Sequence, residues 1–112
     1  MTDKHKSNLE NGVLTLDLLI EAAHTIEASI RKCAYNRKKY QYAVGDSSAS
    51  WNESLKENMK YRTYVNRILI NSYNLDEQQI KQKLSQVKKR TIPDGVVHEI
   101  IGLIRSGNFQ VG

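Results

Sequence analysis

The sequence predicts an all-α protein, with a long N-terminal helix, a central group of three short helices and a C-terminal amphipathic helix. Three observations carry that prediction. One proline and six glycines interrupt 112 residues, apolar positions recur at three- and four-residue steps, and capping residues stand ahead of the periodic stretches. With 39% hydrophobic and 26% charged residues, the chain has the composition of one globular domain long enough to bury a core.

Residues 1–12 are almost wholly polar and read as a flexible leader, leaving 13–112 as a single helical domain. From Leu16 onward, Leu19, Ile20, Ala23, Ile26, Ile30 and Cys33 fall on one face of a long helix. Thr15 is its expected N-cap, and Asp17 suits the positive end of the helix dipole. This helix is expected to reach about Tyr42, where Gly45-Asp46-Ser47-Ser48 stops it.

Ser50 and Glu53 have the spacing of a capping box, so a second helix is expected to begin there. Trp51, Leu55 and Met59 continue it, and Val65, Ile68 and Leu69 follow a break expected near Lys60–Arg62. Asp76 and Gln79 form another cap pair ahead of Ile80, Leu84 and Val87, which predicts a short basic helix over 76–90. Pro93 and Asp94 open the last helix, whose apolar arc runs from Val96 to Ile104. Gly107 closes it as a left-handed cap.

The net charge of +5 favours an anionic partner such as nucleic acid. Lone Cys33 sits on the apolar face of the first long helix, where a structural thiol is expected rather than a nucleophile, in a reducing, intracellular setting. His5, His24 and His98 lack ligand spacing, so no metal is expected. No phosphate loop, catalytic constellation or apolar run of membrane-spanning length occurs, and neither cofactor nor small-molecule substrate is expected.

Leu75-Asp76-Glu77-Gln78-Gln79-Ile80-Lys81, followed by Leu84, Gln86, Lys88 and Arg90, resembles the turn and recognition helix of a homeodomain. Ungapped extension puts Trp51, Leu55, Tyr61, Leu69, Tyr73, Leu75, Ile80, Leu84 and Val87 on core positions of that family, so the resemblance spans about 36–90. It implies a homeodomain-like three-helix unit, with Arg37, Lys38 and Lys39 where the family carries a basic arm. Lys83 departs from the family's buried tryptophan, and Gln86 from its adenine-gripping asparagine, although glutamine can make the same paired contact. The chain is also similar to the small homeobox-like accessory subunits of the ciliate-type DNA N6-adenine methyltransferase complex.

By that resemblance Gln82, Ser85, Gln86 and Lys89 face bases, while Lys60, Lys81, Lys88 and Arg90 neutralise phosphates. Over 74–90, five cations against Asp76 and Glu77 make a net +3. The apolar faces of the first helix (Leu19, Ala23, Ile26) and of the docking helix 92–107 (Val97, Ile101, Ile104) are wider than a small core needs, and are expected to bind a larger protein subunit. The resulting expectation is a non-catalytic, nuclear DNA-binding accessory subunit. The competing one is a protein scaffold whose helix-turn-helix no longer touches DNA.

Overall fold

The structure, a computed structural model, describes residues 1–41 and 47–112, apart from the side chains of residues 47 and 48. Tyr42, Gly45 and Asp46, the expected end of the first long helix, lie outside the described residues.

The axis of the molecule is α2 (Leu16–Lys39), about 36 Å long at 1.5 Å per residue. Thr15 Oγ1 accepts the Leu18 amide at 3.2 Å, as its sequence position predicts. Leu18, Leu19, Ala22 and Ile26 are all buried, because other elements cover α2 on several sides. A helix apolar over so wide an arc is stable only when enclosed in this way.

Antiparallel to α2 runs α3 (Ser47–Asn71). Arg62 donates to Glu27 through Nε at 2.6 Å and Nη2 at 2.9 Å, and Arg37 Nη1 donates to Asn52 Oδ1 at 3.2 Å, so rising numbers on one helix meet falling numbers on the other. Two expectations are corrected here. The helix begins by Ser47, so Ser50 lies inside it rather than at a cap, and Ser47-Ser48 belong to α3 instead of stopping α2. Nor does it break near Lys60–Arg62: neither glycine nor proline occurs between Ser47 and Asn71, while Leu55, Val65 and Leu69 bury along one continuous seam. The family resemblance divides this stretch into two helices; the chain makes one.

After α3, Asn74 takes a left-handed conformation (φ 56°) and turns the chain into α4 (Glu77–Ser85). The expected capping box forms: Asp76 Oδ1 accepts the Gln79 amide at 2.7 Å, and Gln79 Oε1 accepts the Asp76 amide at 2.9 Å. The helix is shorter than the predicted 76–90, ending with Gln86 as its C-cap. The next residues are held elsewhere. Ile92 is fully buried and its carbonyl accepts the Thr25 hydroxyl at 2.6 Å, while the Thr91 hydroxyl donates to Glu21 Oε1 at 2.7 Å. Pro93 then precedes α5 (Asp94–Ser106), which Gly107 closes at φ 74° as expected. Val97, Ile100 and Ile101 bury α5 in the core.

The expected leader holds a helix, and the two ends of the chain pair with each other. Residues 3–10 form α1 (Asp3–Glu10), capped by the Thr2 hydroxyl, and it turns His5 and Leu9 inward one helical turn apart. His5 Nε2 pairs with the Glu21 carboxylate on α2. Beyond α1, β1 (Val13–Leu14) lies parallel to β2 (Gln110–Val111), an element the sequence did not predict. Gln110 donates to the Gly12 carbonyl at 2.8 Å, Gly112 to the Leu14 carbonyl at 3.1 Å, and the Tyr73 hydroxyl lies within 2.9 Å of the carbonyls of Leu14 and Gly112.

Candidate nucleic-acid interface

Arg37, Lys38, Lys39, Lys60, Lys81, Gln82, Ser85, Gln86, Lys88, Lys89 and Arg90 are all exposed, but they lie in three separate places. Arg37, Lys38 and Lys39 occupy the last turn of α2, where cations suit the negative helix end. Since α2 continues through Lys39, these bases stand on a rigid rod and do not form the flexible arm the resemblance implies. Arg37 is moreover engaged by Asn52, and Lys39 Nζ sits 5.3 Å from the centre of the Tyr40 ring.

Lys60 lies on α3, beside Tyr64 and Arg105 of a cleft shared with α5. The third group clusters about α4. Only Lys81, Gln82 and Ser85 lie on that helix; Gln86 caps it, and Lys88, Lys89 and Arg90 follow in irregular chain that bends at Lys89. At nine residues, α4 is about 14 Å long and lacks the turns on which the resemblance puts Lys88, Lys89 and Arg90. Ser85 spends its hydroxyl on the Gln82 carbonyl at 2.6 Å. Lys81 approaches Glu77 at 3.9 Å, and both are so exposed that the pair contributes little.

Around the C-terminal end of α4, a cleft of about 620 Å³ brings Lys83, Gln86, Lys88 and Lys89 against the start of α2. Asp17 and Glu21 line its other wall over Leu16 and Ile20. Glu21 is already held by His5 and Thr91, so three lysines line a cleft in which, among the described residues, only the Asp17 carboxylate stays without such a partner. Lys83, which in sequence marks only a departure from a family pattern, thereby joins the candidate site. Two-residue spacing on a short helix carries no signal for that, because its neighbours come from α2.

Leu19, Ala23, Ile26, Val97 and Ile101 are buried at 0–5% exposure and Ile104 is half-buried. The expectation that they form docking faces is corrected: α2 and α5 spend these side chains on one another and on α3, so they are the core of the protein. Cys33 is buried among them, and burial raises its thiol pKa. Tyr61 is pushed up to about 12, first by burial and then by the Glu57 carboxylate to which its hydroxyl donates at 2.5 Å.

Among the described residues no three His, Cys, Asp or Glu side chains come together to hold a metal ion, and no helix is long and apolar enough to cross a membrane. Compared with known protein families, curated proteins and solved structures, the chain matches none.

Proposed function

We propose that the protein is a non-catalytic accessory subunit that contacts nucleic acid by charge through the cleft at the end of α4. The convergence of Lys83, Lys88 and Lys89 on one concavity carries this reading. Neutralising phosphates needs clustered cations on a fixed frame, and does not need side chains that reach base edges. A short α4 with Ser85 turned to its own backbone fits phosphate contact better than base readout. In this reading α3, the turn at Asn74 and α4 keep the outline of a helix-turn-helix, presented on α2 rather than within a homeodomain-like three-helix unit. A nuclear location and a larger complex such as a DNA methyltransferase come from the resemblance alone.

Reversing three charges in Lys83→Glu/Lys88→Glu/Lys89→Glu tests it on a short DNA duplex by gel shift, with circular dichroism to verify the fold. Loss of retention is expected; retention equal to that of the parent contradicts the reading.

One observation favours the scaffold alternative. Ile70 is 47% exposed in a groove between α3 and α4, rimmed by Arg31 and Lys81, where an apolar side chain of a protein partner would fit. Under that alternative Ile70→Asp releases the partner and the charge reversals do not.

A further inference from the structure

We propose that the cleft between α3 and α5 is a second site, built for single-stranded nucleic acid and independent of the lysines at the end of α4. On α3, Lys60, Tyr64 and Arg67 are spaced by four and three residues and so share one stripe. Packing of Tyr61 and Ile68 towards the core leaves that stripe facing out, beside the C-terminal end of α5.

There Arg105 and Phe109 complete a cleft of about 400 Å³ with Tyr64 and Arg67, floored by Ile68 and Ile104. Tyr64 and Phe109 each pack one side against the core and stay part-exposed on the other, so both rings are held in place before any ligand arrives. Arg67 and Arg105 are exposed and, among the described residues, neither forms an ion pair with a carboxylate. Among the described residues no acid lines this cleft. The adjoining concavity, which carries Lys56 and Lys60, does contain Glu53 and Glu57, and Glu57 is occupied by the Tyr61 hydroxyl.

The chemistry selects the occupant. Two part-buried aromatic rings in one cleft with two unpaired guanidinium groups match a chain in which flat bases alternate with phosphates, and ring contact requires bases that are not already stacked in a duplex. Arginine adds to the match, because its planar group both stacks on bases and pairs with phosphate oxygens. A duplex offers this cleft only its phosphates.

The test is fluorescence anisotropy with labelled oligothymidine and oligouridine of fifteen nucleotides, and with a fifteen-base-pair DNA duplex, the two single strands separating DNA from RNA as the source. Arg67→Gln/Arg105→Gln, both at exposed positions, and Tyr64→Ala should each weaken the preferred single strand by on the order of tenfold. Tyr64→Phe should bind as the parent does, since it keeps the ring; the duplex should bind both Tyr64 variants as it binds the parent, and should lose less affinity than the single strand in the paired arginine variant. The proposal is overturned if the parent binds neither single strand, or if the paired arginine variant keeps full affinity. It is equally overturned if single strands are lost only in Lys83→Glu/Lys88→Glu/Lys89→Glu, which would locate them at α4.

Discussion

At the scale of single residues, the structure rests on a few hydrogen bonds that join distant parts of the chain. The Thr25 hydroxyl on the Ile92 carbonyl is fully buried and holds the irregular segment after α4 against α2. Thr25→Val keeps the shape but strands that carbonyl, so a loss of about 1–3 kcal/mol is expected in urea unfolding. Tyr61 offers a test in pH. Its folded pKa of about 12 lies above the ordinary 10, so between these values the unfolded chain releases a proton that the native protein retains. Stability from this group is complete below about pH 10 and falls as pH rises towards 12. Melting temperatures across that window should therefore decline less steeply in Tyr61→Phe than in the parent. Three caps were legible from sequence because they depend on neighbouring residues only: Thr15, the Asp76–Gln79 pair and Gly107 act as read, whereas the Ser50–Glu53 pair has the spacing of a box but lies inside α3. His5 was not legible, since what turns it inward is Glu21, on another helix.

At the scale of elements, α3 separates the resemblance from the structure. A turn at Lys60–Arg62 would tolerate proline, whereas an unbroken helix would not, because proline removes a hydrogen bond and clashes with the preceding turn. Lys60→Pro is expected to cost about 3 kcal/mol or more, read as a lowered urea midpoint. Asp76→Ala should cost about 1 kcal/mol and speed amide exchange in α4 first, where the capping box holds the helix start. The apolar spacing of Leu55, Val65 and Leu69 was visible in sequence, and so was the lack of any breaker between them. The break was read from the polar Lys60–Arg62 stretch between Met59 and Val65, and the family pattern agreed with it, although no breaker residue stands there. The β1–β2 pair was invisible for a different reason: two residues a side show no alternation, and the pairing exists only because the fold brings both ends together.

At the scale of the molecule, wide apolar faces were read as surplus when they are the core itself. Helices α3, α4 and α5 pack on α2, and that demand on its surface cannot be counted from one helix at a time. Ile101→Asp should accordingly abolish cooperative unfolding rather than release a partner, because it buries an unpaired charge. The basic character of the 74–90 region was plain in sequence, but its arrangement was not: the ending of α4 at Ser85 folds Lys88 and Lys89 back towards Lys83 and α2. Phosphate neutralisation by that cluster is the central claim, and salt dependence measures it most directly. Duplex affinity should fall linearly on a log–log plot against salt, and Lys83→Glu/Lys88→Glu/Lys89→Glu should make the slope shallower by roughly 2 to 3, near 0.9 for each phosphate contact removed. An affinity indifferent to salt, or a slope the triple variant leaves unchanged, would contradict the account.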